Sequence, residues 1–245
     1  METEWLYGRN SVREALRANR RTFYSLRLAA NLDPDRRIDE ILSLCQKHAI
    51  EVESVARSQL DEIVEANHQG VALQCSRFPY STGEELIADF EADALLLALD
   101  NVQDPRNVGS LLRTSEAVGV RGVVIPEHRS ASITPAVSNS SAGAVEHLSI
   151  AGVTNLARWL KAAKSARYWT VGLDGGEGVP AIFDVDIPMP AVLVVGAEGT
   201  GLRRLILETC DLTVAIPMYG RIESLNAAVS GSIALYEIRE FAESS

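Results

Sequence analysis

Two uninterrupted apolar runs constrain this chain most: Ala-Leu-Leu-Leu-Ala-Leu-Asp at 94–100 and Ala-Val-Leu-Val-Val-Gly at 191–196. Neither alternates polar with apolar residues, as a strand with one wet face would. Runs of this length without alternation suit strands buried on both faces, which belong to parallel sheets covered by helices. Further strand candidates are Arg121 to Pro126, Tyr168 to Leu173 and Leu212 to Pro217. Helical spacing between them predicts helices over 107–118, 153–166, 202–209 and 225–242. Strand–helix alternation implies a parallel α/β sheet with right-handed crossovers.

The first 75 residues form a separate pattern. Ser11 to Asn19 reads as a helix with Val12, Ala15 and Leu16 on one face and a cap at Asn10 or Ser11. Phe23 to Ala30 reads as a strand, and 35–48 as a helix through Ile38, Ile41, Leu42 and Cys45. A short strand at 51–55, a helix capped by Ser58 and a strand at 71–75 complete a small α/β module. Ser-Arg-Phe-Pro-Tyr-Ser-Thr-Gly at 76–83 breaks the pattern with Pro79 and Gly83, as a linker does, and a short helix over 84–90 follows. The expected organisation is a module over 1–76, a linker over 77–92 and a second domain over 93–245. At 245 residues, two domains also suit the usual size of about 100–200 residues each.

Composition narrows the classes. No apolar stretch approaches the roughly 18 residues of a membrane span. The opening METEWLYGRN is acidic and lacks the apolar run of a signal peptide. Cys45, Cys75 and Cys210 lie far apart with no CxxC pair, which fits reduced core thiols of a cytoplasmic protein. Four scattered histidines give no ligand-spaced cluster, so no metal site is expected. The net charge of −10 by itself argues against nucleic acid. Screening over about 8 Å makes local patches matter more than the sum. Between Arg9 and Arg37 stand eight arginines against Glu14, Asp33 and Asp35, a local excess that suits phosphate contacts. A solvated helix face explains the same residues equally well.

Ligands of open α/β sheets bind beyond the carboxyl ends of the strands, and three polar, glycine-rich loops stand there. Asp100 to Arg113 carries Asn107, placed to cap the following helix, with Gly109 and Arg113 sharing a face. The bland alternative is a capped helix with an Arg113–Glu116 surface pair. Gly196-Ala-Glu-Gly-Thr-Gly-Leu202 is G-x-x-G-x-G, not the dinucleotide fingerprint. Its Glu198 is either a helix-terminus carboxylate or a ligand acceptor. Ile216-Pro-Met-Tyr-Gly-Arg-Ile-Glu-Ser-Leu-Asn226 leads into a helix rich in small residues. Ser224 and Asn226 are cap candidates. Gly231 costs that helix about 1 kcal/mol against alanine, which suggests close packing on something such as a partner subunit.

Taken together, N-x-G-x-x-x-R at 107–113, G-x-E-x-x-G at 196–201 and I-P-M with S-L-N at 216–226 resemble the SpoU (TrmH-like) class of SPOUT RNA 2′-O-methyltransferases over roughly 92–242. The stretch from Arg129 to Ala144 is similar to that class too. Gly8, Val12 and Leu16 with His68-Gln-Gly-Val71 resemble an L30e-like substrate-binding domain. That pairing is nearest to bacterial 23S rRNA guanosine 2′-O-methyltransferases. The resemblance implies a knotted parallel-sheet (trefoil knot) SPOUT fold, a homodimer, S-adenosylmethionine as cofactor and RNA, most of all rRNA, as partner. It assigns Gly196, Ile216, Met218 and Leu225 to the cofactor, and Arg113, Asn107, Glu198, Ser224 and Asn226 to catalysis. Arginine stays protonated at ordinary pH, so the role expected of Arg113 is to position a phosphate and acidify the ribose hydroxyl. One departure is Ala228, where the family commonly has serine. Alternatives left open are a tRNA ribose methyltransferase, a resistance-type rRNA methyltransferase and an inactive RNA-binding assembly protein. Loss of Arg113, Asn107 or Glu198 would mark the last, and all three are present.

Overall fold

The structure, a computed structural model, describes residues 2–127, 131–176 and 178–244. Arg129, part of the resemblance noted above, lies outside the described residues. Two compact units emerge: the chain up to Pro79 together with Ile133–His147, and Tyr80–Ser132 together with the chain from Leu148 onward. No helix among the described residues is long and apolar enough to cross a membrane.

The first unit contains a four-stranded sheet of β1 (Thr3–Tyr7), β2 (Phe23–Ala29), β3 (Glu51–Val55) and β4 (Val71–Ser76), ordered β1-β4-β2-β3. β4 runs antiparallel to both neighbours, and β2 pairs β3 in parallel. Helices α1 (Arg9–Ala18) and α2 (Arg36–Lys47) cover one face. Val12, Leu16, Ile41 and Cys45 are fully buried there against Leu6, Leu26 and Leu73. Burial pushes the Cys45 thiol up to about 11 and the Cys75 thiol up to about 12, as expected of unreactive core cysteines.

The helix starts differ from the sequence expectation. α1 begins at Arg9, so Asn10 and Ser11 lie inside it and Gly8 occupies the cap with φ +86°. A side chain at Gly8 would also strike Asn139. Ser11 is instead buried, its hydroxyl 2.9 Å from that of Ser138. α3 (Arg57–Ile63) is capped at Ala56, whose N–H donates to the Gln59 side chain, and Ser58 sits within the helix.

The segment 133–147 contributes α6 (Pro135–Ser140) and a single 3₁₀ turn to this unit. What seats it is a buried ion pair. Arg21 grips Glu146 with two parallel bonds of 2.8 Å, and both side chains are almost wholly removed from water. Arg21 also donates to Glu4 and to the Ser76 carbonyl, and Ser138 donates to Glu146. All charge on the pair is therefore matched, the condition under which a buried ion pair persists.

The second unit is built on six parallel strands: β5 (Leu95–Asp100), β6 (Gly122–Pro126), β7 (Ser149–Val153), β8 (Trp169–Leu173), β9 (Ala191–Gly196) and β10 (Leu212–Val214), ordered β10-β8-β9-β5-β6-β7. β5 and β9, the two apolar runs, pair at its centre and are buried on both faces. Alternate residues pack against α7 (Leu156–Ser165) and α8 (Arg204–Leu207) on one side. On the other lie α5 (Pro105–Ala117) and α9 (Ala227–Ser244). Ser81 extends the sheet by one bridge beyond β7, protecting an edge. β1, β7 and α6 were not expected from the sequence.

One further expectation is corrected, and the close packing expected at Gly231 is found within the chain itself. Asp104, not Asn107, caps α5, and Pro105 takes the first turn. Gly231 meets this chain's own Leu111 and Val195. A Cβ there would stand 2.5 Å from the leucine methyl, so the small-residue face of α9 serves packing on α5. The Ser232–Thr114 hydroxyl pair at 2.8 Å and Arg239 donating to the Val118 and Gly119 carbonyls hold the same contact.

Replacing Glu146 with alanine leaves the Arg21 guanidinium buried without its main counter-charge. Urea unfolding should show a loss of about 3–5 kcal/mol. The double change Arg21→Met with Glu146→Leu, which removes both charges, should lose much less.

Candidate functional site

At the carboxyl edge of the second unit, the ends of β8, β9 and β10 open onto a cavity of about 590 Å³. Its walls include Leu173, Val195, Ile216 and Leu225, together with Gly196, Asp174, Glu198, Glu223 and Ser224. The loops after β9 and β10 are thus folded around one space, although 20 residues separate Gly196 from Ile216.

The 197–203 loop turns back on itself. Ala197 and Gly201 form an antiparallel bridge. A Cβ at Gly196 would lie 2.3 Å from the Gly201 carbonyl carbon, so the crossing exists only because residue 196 has no side chain. Gly201 adopts φ +64°, and a Cβ there would meet the Asp174 carboxylate at 2.8 Å. At the far end of the loop, Arg203 is locked to Asp100, the last residue of β5, which is fully buried. One Asp100 oxygen accepts from the Arg203 backbone N–H at 2.9 Å and the other from its Nε at 2.7 Å. The sequence reading missed this clamp. Its signal was an aspartate ending an otherwise apolar central strand.

With the loop fixed, Glu198 is held where two helices begin. Asn107 Nδ2 donates to Glu198 Oε2 at 3.1 Å, and Asn226 Nδ2 donates to the same oxygen at 3.2 Å. Asn226 Nδ2 also donates to Asn107 Oδ1 at 3.0 Å, while Asn226 Oδ1 accepts from the N–H groups of Ala228 and Val229. Asn226 is therefore both the cap of α9 and part of a side-chain triangle. Asn107 lies in the first turn of α5. A carboxylate at two helix N-termini is favoured by both dipoles, and the asparagines orient it.

Of the nine residues singled out from sequence, Gly196, Glu198, Ile216, Met218, Ser224 and Leu225 line this cavity, and Asn107 and Asn226 are bonded to its rim. Ser224 caps no helix. Arg113 stands apart. It is exposed on α5, lines no part of the cavity, and has no hydrogen bond or ion pair among the described residues. The Arg113–Glu116 pair is not formed.

Parallel α/β architecture with a walled, carboxylate-bearing cavity at a strand-end edge defines a ligand-binding α/β protein with a preceding small sheet module. Residues 94–236 match the SpoU rRNA Methylase family and residues 5–81 match the family described as RNA 2′-O ribose methyltransferase substrate binding. The chain belongs to the SpoU rRNA methylase family, whose members are RNA methyltransferases. It is 37% identical over 238 residues, 96% of this chain and 94% of the relative, to YacO of Bacillus subtilis, named as a TrmH family tRNA/rRNA methyltransferase. It is 43% identical over 241 residues to a protein of Mycolicibacterium smegmatis named as an uncharacterized tRNA/rRNA methyltransferase, covering 97% of this chain and 76% of that one. The fold is shared with the SpoU methyltransferase AviRb of Streptomyces viridochromogenes, solved in complex with the cofactor AdoMet. There the TM-score is 0.82 at 24% identity, over 99% of this chain and 92% of that chain.

Two substitutions separate the crossing from the triangle. Gly196→Ala should displace the 197–203 loop and abolish ligand binding in calorimetry, because backbone occupies the space its methyl needs. Asn226→Ala should cost about 1 kcal/mol of stability through the lost cap and weaken binding only partly.

Proposed function

We propose that the protein transfers a methyl group from S-adenosylmethionine to a ribose 2′-hydroxyl of RNA, and that its target is a guanosine of 23S rRNA. The observation that carries this reading is the single cavity lined by Gly196, Ile216, Met218 and Leu225, with Glu198 held at its rim by Asn107 and Asn226. About 590 Å³ falls within the usual span of roughly 300–1,000 Å³ for small-molecule sites. The chemistry of the walls fits the cofactor: apolar Val195, Ile216 and Leu225 suit an adenine face, and carboxylates at Asp174, Glu198 and Glu223 suit a cationic ligand. When bound, S-adenosylmethionine supplies a methyl group already activated on a sulfonium, so the protein's tasks are positioning and deprotonation.

In this reading Asn107, Glu198, Ser224 and Asn226 order the rim where the ribose enters. Arg113 holds the substrate phosphate and lowers the acidity barrier of the 2′-hydroxyl through its fixed positive charge. Because Arg113 lines no part of its own chain's cavity, it is assigned to the site of a second copy, which makes the active form a homodimer. The trefoil knot implied by the resemblance belongs to the same proposal. Residues 1–76 serve as the RNA-binding module. The match of 5–81 to a substrate-binding family supports that role, while the relatives' names leave tRNA and rRNA both open.

The test is a map of 2′-O-methyls on rRNA and tRNA from a strain lacking the protein. One 23S guanosine should lose its methyl and regain it with the wild-type chain but not with Arg113→Ala, which should turn over on the order of 100-fold more slowly or worse. A lost tRNA methyl would move the substrate and keep the chemistry. An unchanged map in both RNAs would sink the proposal. Arg113→Lys at near-full turnover would remove the special role of the guanidinium.

A further inference from the structure

A second cavity, of about 640 Å³, lies on the same carboxyl edge of the second unit, beyond the ends of β6 and β7. Nothing in the methyl-transfer reading uses it. Parallel strands place both openings on one edge of the sheet. By strand order, at about 4.8 Å per strand, their nearest strands, β9 and β6, are about 10 Å apart and their centres about 17 Å apart.

The walls combine flat apolar surface with directional polar groups. Ile125, Val153 and Trp159 form the apolar part. The indole is fixed, since its Nε1 donates to the Gly83 carbonyl at 2.8 Å. Glu127 is anchored by its backbone N–H on the Val153 carbonyl, and its stem crosses Gly152, the residue of β7 where a Cβ would come within 3.3 Å of Glu127 Cγ. Asn155 Oδ1 is already occupied by the Arg158 N–H. Its amide N–H₂ remains to donate. The Arg158 side chain reaches the same cavity, and its guanidinium has no hydrogen bond or ion pair among the described residues.

A ligand for this set needs a flat apolar body, a donor edge for a carboxylate and an acceptor for a guanidinium or amide. A nucleobase has the body, and guanine alone among the four offers adjacent N–H donors beside a carbonyl acceptor. We infer that this cavity holds a guanine of the RNA substrate, a few nucleotides from the methylated ribose, with Glu127 accepting from its Watson–Crick edge and Arg158 or Asn155 donating to its carbonyl. The inference deepens the proposed function and rests on RNA being the substrate. Its occupant follows from the shared edge: an RNA strand whose ribose enters the first cavity runs past the second.

Binding is measured by fluorescence anisotropy with short 5′-labelled oligouridylates carrying one central guanosine, adenosine or cytidine, or none, on the full-length protein. The guanosine oligomer should bind the wild type about tenfold more tightly, the discrimination expected of one bidentate base contact. Glu127→Gln, which keeps the side chain's size, should erase that preference. Ala162→Trp, at an exposed position of α7 lining the cavity, should weaken all binding by filling the space. Calorimetric affinity for S-adenosylmethionine should be unchanged in both variants. Equal binding of the four oligomers by wild type, or a guanosine preference that survives both substitutions, overturns the inference. Methyl transfer to RNA by the wild-type chain is scored separately. Its absence would defeat the proposed function, while a missing base preference with intact transfer would defeat only the second cavity.

Discussion

The candidate site depends on one buried carboxylate. Asp100 ends the central strand with no solvent exposure, and Arg203 answers it with a backbone N–H and its guanidinium. A buried aspartate without partners would be costly by several kcal/mol. The arginine and its backbone must therefore stay where they are, and so must the loop that ends there. That loop begins at Gly196, directly opposite Asp100 in the strand register. Both of its ends are thus tied to the two most buried strands. The six residues between have little freedom, and Glu198 is delivered to the asparagines without any strong bond of its own.

This division of labour follows from where energy can be stored. Bonds to exposed Glu198 contribute little to stability, as surface polar contacts generally do. Burying each leucine or valine of β5 and β9 contributes roughly 1.5–3 kcal/mol. The sheet supplies rigidity, and the rim groups are free to serve chemistry. The same logic explains Gly231. The helix gives up propensity so that α9 can approach Leu111 and Val195, which brings Asn226, at its start, within reach of Asn107.

Much of this was legible because it is written in local patterns. Unbroken apolar runs marked β5 and β9, and loops rich in glycine and asparagine marked the strand-end edge. What escaped notice depends on contacts distant in sequence. β1 alternates poorly and is defined only by pairing with β4, 73 residues later at the Thr3–Ser76 end and 65 at the Tyr7–Ala72 end. α6 is short, and Ile133–His147 joins the first unit because Glu146 finds Arg21, a pairing no window of sequence displays. Asn107 has the side chain of a cap and sits beside the true one. With Asp104 capping α5, its amide is left for Glu198.

The arginine run shows how charge counting fails for the same reason. Between Arg9 and Arg37, the excess of positive charge looked like a phosphate-binding face. In the structure Arg9 and Arg37 share Asp35, Arg13 and Arg17 meet Glu14 and Glu40, Arg27 meets Glu53, and Arg21 is buried on Glu146. Arg20 lies over Phe78. Only Arg36 of the eight has no partner among the described residues. The acids that neutralise the run mostly come from outside it, so a window sum counts the bases and omits their partners. Unmatched positive charge also stands on α5, where the Arg106 and Arg113 side chains are exposed, without a partner among the described residues, and seven residues apart. At 3.6 residues per turn they share one face of the helix, separated by about 10 Å along its axis. That stripe starts beside Asn107, so exposed positive charge adjoins the rim that Glu198 completes, in a chain whose net charge is −10.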